Sequence, residues 1–164
     1  MSILILTGPA GSGKNTIAAV LSKRRAKCAV IDIDNVRQML VQPHKAPWDG
    51  EEGHQQQILG VGNGCVLAKN FIQNGCDVLI LDVLSNETLS LYKKLLPLHA
   101  PIVALLLPTL EEIKKRNATR PQMITTDQIA LIYKSQEILK GYDQKIDTTK
   151  LSAEEVAEKL NVFF

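Results

Sequence analysis

Residues Ile3 to Thr16 read ILILTGPAGSGKNT, an aliphatic run that passes directly into a glycine-rich turn and a lysine. A run of Ile and Leu this short and apolar reads as a buried strand. Gly8, Gly11 and Gly13 then let the chain curl into a ring of inward-pointing backbone N–H groups, which cradles phosphate oxygens. Lys14 adds a mobile cation able to follow the β- and γ-phosphates, and a helix beginning near Lys14 aims the positive end of its dipole at the same point. The expected nucleotide-binding residues are therefore Gly8, Pro9, Ala10, Gly11, Ser12, Gly13, Lys14, Asn15 and Thr16. Their spacing matches GxxxxGK[ST] except at the last position, where Asn15 replaces the Ser or Thr whose hydroxyl reaches magnesium. A glycine-rich turn alone could be a tight strand–helix connection, but strand, glycines, lysine and helix together favour a polyphosphate.

The 164 residues fit one domain spanning 1–164, long enough to bury a core without disulfides or metal. A formal charge of +2 is too small to imply a nucleic acid or a membrane surface as partner. Cys28, Cys65 and Cys76 are odd in number and lack CxxC spacing, which predicts free thiols in a reducing cytoplasm. The first apolar run stops at Thr7, far short of a membrane span or signal segment.

Outward from the opening stretch, strands and helices alternate. Helical spacing covers Lys14 to Arg25, and Cys28 to Ile31 reads as a second strand leading through Asp32 and Asp34 into a helix at Asn35–Leu40. Val41 to Gly50, with Pro43, Pro47 and the lone Trp48, forms a loop. From Glu51 to about Asn74 a long helix is expected, although Gly60, Gly62 and Gly64 imply either close packing against a neighbour or a break. Asp77 to Asp82 is a third strand, Walker B-like in ending on an aspartate; Ile102 to Leu107 is a fourth and Gln144 to Thr149 a short fifth, with helices between and after them. This alternation predicts a doubly wound five-stranded parallel sheet with helices on both faces. Ligands of such sheets collect beyond the strands' carboxyl ends, where Asp32, Asp34 and Asp82 stand beside the phosphate loop.

The glycine-rich loop, the acidic segment after strand two, the Pro-Trp loop and the strand ending in Asp82 together resemble the P-loop small-molecule kinases of the shikimate, gluconate, chloramphenicol and polynucleotide kinase group. Small bacterial proteins described as gluconate kinases or AAA-type ATP-binding proteins share these features most fully. The resemblance implies ATP with Mg²⁺ as cofactors and a nucleoside-monophosphate-kinase-like fold. It implies Asp34 as the base that accepts the proton of an acceptor hydroxyl, with Arg37 three residues later orienting it. Asp32, Asp82 and Asn15 would hold magnesium, in part through water. A short lid around 116–125 would supply Arg116 to adenine or the phosphates and Arg120 to the transferred group. Ile146 to Thr149 resembles the segment that supports adenine.

Acceptor candidates lie in the loop after strand two, at Trp48, Asp49, His44 and His54, although a single tryptophan is more commonly a core residue. The expected reaction is phosphoryl transfer from ATP to a hydroxyl of a small molecule whose identity the sequence does not specify. The alternatives are a nucleotide-binding module or weak ATPase without a small acceptor, for which Asn15 is the argument, and a polynucleotide 5′-kinase, which lacks a basic composition.

Overall fold

Apolar runs of five or six residues become four strands, a three-residue segment adds a fifth at the sheet edge, and each is followed by a helix. The computed structural model describes residues 1–119 and 124–164. In chain order the elements are β1 (Ile3–Thr7), α1 (Lys14–Lys23), β2 (Cys28–Asp32), α2 (Ile33–Gln38), α3 (Gly50–Gln73), β3 (Asp77–Asp82), α4 (Asn86–Leu95), β4 (Ile102–Leu106), α5 (Leu110–Ala118), α6 (Thr126–Glu137), β5 (Gln144–Ile146) and α7 (Ala153–Asn161). The strands pair in parallel in the order β2-β3-β1-β4-β5, the doubly wound sheet the alternation predicts.

Side-chain alternation along the buried strands divides the core in two. On one face Ile3, Ile5, Val78, Ile80, Val103 and Leu105 meet Val61, Cys65 and Ala68 of α3 and Leu89 and Tyr92 of α4. On the other, Leu4, Leu6, Leu79, Leu81, Ala104 and Leu106 meet Ile17, Ala18 and Leu21 of α1 and Val156 and Leu160 of α7. Register aligns the carboxyl ends, with Thr7 opposite Asp82 and Asp32 opposite Leu81. The phosphate loop and the strand-end aspartates therefore share one edge of the sheet.

Several boundaries differ from the sequence expectation by a few residues, three of them for local reasons visible in the structure. The second helix begins at Ile33 rather than Asn35, because Asp32 caps it by accepting the Asp34 amide at 3.0 Å. Strand β5 ends at Ile146 rather than Thr149, because Asp147 Oδ1 accepts both the amide and the hydroxyl of Thr149 and turns the chain away from the ladder. Helix α1 stops at Lys23 rather than Arg25, with the Arg24 and Arg25 amides returning to the carbonyls of Leu21 and Ser22.

The glycines of α3 resolve in favour of close packing, and the helix runs unbroken. A Cβ on Gly60 would lie 2.4 Å from Arg37 Cγ, and one on Gly64 would lie 2.4 Å from Ile33 Cδ1. Both glycines admit α2 to the surface of α3. Gly62 faces open space and nothing in the structure explains it.

Candidate active site

The loop after β1 is held from outside by three side chains, of which the sequence pointed only to Arg116 as a neighbour of the loop. Asn117 Nδ2 donates to Ala10 O at 2.9 Å, Arg116 Nη1 donates to Gly11 O at 3.2 Å, and Thr148 Oγ1 donates to Ser12 O at 3.1 Å. Three successive carbonyls are thus pinned by side chains, and the Ser12 amide turns back to Pro9 O at 3.1 Å, so that the curl of the loop is fixed by both. The glycines are required by contact as well as by φ. A Cβ on Gly8 would stand 2.2 Å from Leu106 O, and one on Gly11 would stand 2.8 Å from Asn117 Nδ2. Lys14 Nζ lies over the same turn, donating to Gly8 O at 2.5 Å and Pro9 O at 3.3 Å.

Arg116 lies beside the loop, where the sequence places it, but its nitrogens face protein. Nε donates to Glu112 at 2.8 Å, Nη1 to Gly11 O and Nη2 to Thr148 O at 2.8 Å. An arginine braced in this way has its edge committed to the loop, while its flat face keeps its capacity for stacking. Arg120 and the middle of the expected lid at 116–125 lie outside the described residues; residues 116–118 are the last turn of α5 and Thr125 caps α6.

On the far side of the loop, the carboxylates stand in three different environments. Asp34 is in the first turn of α2 with its side chain 72% exposed, and Arg37 Nη1 approaches its Oδ1 at 3.6 Å. Arg37 itself is only 7% exposed: its stem lies against Gly60, Nη2 donates to Lys45 O at 2.7 Å, and Nε is buried with no partner among the described residues. An exposed carboxylate is therefore paired with a fixed cation, the arrangement expected from the spacing of the two residues. Asp32 divides its oxygens between the α2 cap and Asn15, whose Nδ2 donates to it at 3.3 Å. Asn15 thus turns its amide nitrogen to Asp32 and its carbonyl oxygen away.

Asp82 is buried at the end of β3. Val83 N donates to Oδ1 at 2.7 Å and Tyr92 Oη to Oδ2 at 3.0 Å. Burial pushes its carboxyl up to about 6 and the Asp34 charge adds to this, while the two hydrogen bonds and Lys14 oppose it. Burial and the neighbouring Asp82 also raise the Tyr92 phenol well above its ordinary value, so it remains a donor.

The loop between α2 and α3 is a fixed strap. Gln56 Nε2 donates to Pro43 O at 2.8 Å, its Oε1 accepts the Lys45 amide at 2.9 Å, and the Ala46 amide donates to Asp49 at 2.9 Å. Trp48 on this strap is 52% exposed, against the expectation of a core tryptophan, because those polar anchors hold the strap's backbone to α3 without burying the ring. His54 turns to Glu87 on α4 at 2.8 Å.

The adenylylsulphate kinase family model matches residues 1–86, which carry the phosphate loop, the Asp34–Arg37 pair and Asp82. The chain belongs to this family. It is a P-loop kinase that transfers a phosphoryl group from ATP to a small-molecule acceptor, as the resemblance to small-molecule kinases implies. No curated protein matches the chain.

Solved structures agree on the fold. The tunicamycin resistance protein of Deinococcus radiodurans superposes with a TM-score of 0.72 at 16% identity, over 99% of this chain and 94% of that one. The adenylylsulphate (APS) kinase of Mycobacterium tuberculosis, in complex with AMPPNP and APS, gives 0.70 at 17% identity over 98% and 95%. Shikimate kinase from Acinetobacter baumannii gives 0.67 at 18% identity over 99% and 92%. Among the described residues no helix is long and apolar enough to cross a membrane.

Proposed function

We propose that Asp34 is the general base of this kinase, accepting the proton of an acceptor hydroxyl as that oxygen attacks the γ-phosphoryl group of ATP. The observation that carries the reading is the pairing of an exposed Asp34 with a buried, fixed Arg37, which orients the carboxylate where a substrate can reach it. Lys14 and the loop amides hold the β- and γ-phosphates, the flat face of Arg116 supports adenine, and Arg120 stabilises charge on the transferred group. ADP leaves, and Asp34 carries the acceptor's proton until water removes it.

The residues present fit magnesium. Asp82, Asp32 and the Asn15 carbonyl are hard oxygen donors at one edge of the sheet, and among the described residues no three His, Cys, Asp or Glu side chains converge into a cage. Magnesium is usually held by one or two carboxylates together with substrate phosphates and water, which suits so sparse a set. When bound it neutralises charge on the phosphate oxygens. The whole of 1–164 acts as one domain in the cytoplasm, with ATP and a small acceptor as its partners.

Adenylylsulphate is the first acceptor to test, since the matched family bears its name. ADP release should be measured with Mg·ATP and, in separate reactions, adenylylsulphate, shikimate, gluconate and a 5′-hydroxyl oligonucleotide. Release that rises with a single small acceptor supports the reading. Release indifferent to all of them supports the acceptor-free nucleotide module, whose basis is the Asn15–Asp32 hydrogen bond where a Ser or Thr hydroxyl would otherwise meet the metal.

A further inference from the structure

A glutamine that is completely buried must satisfy both ends of its amide inside the protein, and Gln136 does so in a place that bears on the phosphate site. It belongs to the last turn of α6, a helix in which Ile129 is the other buried residue. Gln136 Oε1 accepts from Thr7 Oγ1 at 3.1 Å, and Nε2 donates to Leu84 O at 2.8 Å. The ring closes because Leu84 N donates to Thr7 Oγ1 at 3.0 Å.

Two of these residues flank the two halves of the site. Thr7 is the last residue of β1, directly before Gly8, and Leu84 is two residues beyond Asp82. Thr7 also stands opposite Asp82 in the β1–β3 register. Beyond these positions the ladder ends and the two chains diverge, one into the phosphate loop and the other toward α4. The ring is therefore a polar tie joining them just past the sheet, and the third point is supplied by a helix far away in sequence. A hydrophobic residue at position 136 would fill the space yet leave Leu84 O and the Thr7 hydroxyl without their partner.

We infer that Gln136 is a positioning residue, fixing through Thr7 and Leu84 the separation between the phosphate loop and Asp82. This rests on the reading of Asp82 as a magnesium-side carboxylate. Its consequence is specific: loosening the tie changes how well phosphate and metal are held together, while the loop's own grip on phosphate is preserved by Asn117, Arg116 and Thr148. A misplacement of about an ångström between groups that act together costs up to about a hundredfold.

The test is a titration of the full chain with a fluorescent ATP analogue, once with excess Mg²⁺ and once with EDTA, alongside thermal melts. Wild type, Gln136→Met, Thr7→Val and Thr7→Ser are compared. Gln136→Met and Thr7→Val should each lose roughly tenfold of the magnesium-dependent gain in affinity, with metal-free affinity within about twofold of wild type. Thr7→Ser keeps the hydroxyl and should retain most of the gain. Should Gln136→Met fail to fold, the Thr7 pair decides the matter. A magnesium gain unchanged in Thr7→Val, or equal losses with and without the metal, overturns the proposal even if melting temperatures fall. Absence of any magnesium gain in wild type would overturn it together with the metal reading of Asp82. A wild-type gain that survives in the variants overturns the positioning role alone.

Discussion

Replacing Tyr92 with Phe removes one oxygen from the core and leaves the ring in place, so its effect reports on Asp82 alone. The lost bond is the 3.0 Å donation to a buried carboxylate, worth about 1.5–3 kcal/mol when the acceptor is charged. Folding raises the Asp82 pKa from 3.8 to about 6, so the folded state holds this proton more tightly than the unfolded chain does. Stability from this group in the metal-free protein is accordingly greatest below pH 4. It declines as pH rises from about 4 to about 6 and is level above that, a loss of roughly 3 kcal/mol at 1.36 kcal/mol per unit.

Without the phenol the folded-state pKa climbs further, by about one unit, and the decline extends toward pH 7. Wild type and Tyr92→Phe should therefore melt within about 2 °C of each other at pH 5, where the carboxyl is mostly protonated in both. At pH 8, with Asp82 ionised in both, they should differ by about 3–5 °C, since a pKa change of that one unit is about 1.4 kcal/mol and about 2–4 °C corresponds to each kcal/mol in a domain of this size. Melts in EDTA-containing buffer across this range provide the measurement. A gap of equal size at pH 5 and pH 8 would refute the reasoning, because the hydroxyl would then matter only as packing.

Two further predictions come from neighbouring contacts. Gly60→Ala drives a methyl to within 2.4 Å of Arg37 Cγ and should cost about 1–3 kcal/mol from overpacking, offset by up to about 1 kcal/mol of helix propensity; Gly62→Ala, with open space around it, should gain that propensity outright. Parallel urea melts separate the two, and equal stabilisation by both would remove the argument that Gly60 admits Arg37. Asn15→Ser exchanges the amide that donates to Asp32 for a hydroxyl, and should tighten magnesium in the nucleotide complex severalfold. Calorimetric titration of Mg²⁺ into the protein–ATP complex reads this; no change would mean the metal is held without position 15.

The parts of the site legible in sequence are those written in consecutive residues. An aliphatic run, glycines at fixed spacing and a lysine define the phosphate loop, and Asp34 with Arg37 one helical turn later reads as a carboxylate–guanidinium pair, which the structure forms at 3.6 Å. What escaped reading is carried by contacts between distant residues. Asn117 reaches Ala10 across 107 positions, Thr148 reaches Ser12 across 136, and Gln136 reaches Thr7 across 129. Each is an ordinary polar residue whose local pattern says nothing of its partner. Tyr92 is similar, since its position on α4 marks it as core without revealing that its hydroxyl ends on Asp82. Gly60 and Gly64 were legible as a departure from good helix composition, but choosing between a break and close packing required α2 in place. Trp48 was legible only as a choice between an acceptor candidate and a core residue, because its exposure is decided by distant contacts: Gln56 and Arg37 anchor the strap by its backbone and leave the ring outside.

The central claim is that Asp34 removes the acceptor's proton, and the direct measurement is Asp34→Asn with Mg·ATP and whichever acceptor raises ADP release in the wild type, following ADP release and nucleotide affinity together. Asn keeps the shape and loses the base. Turnover should fall about 10²–10⁴-fold while the Kd for Mg·ATP stays within about twofold. Turnover within tenfold of wild type, with nucleotide affinity intact, would contradict the account.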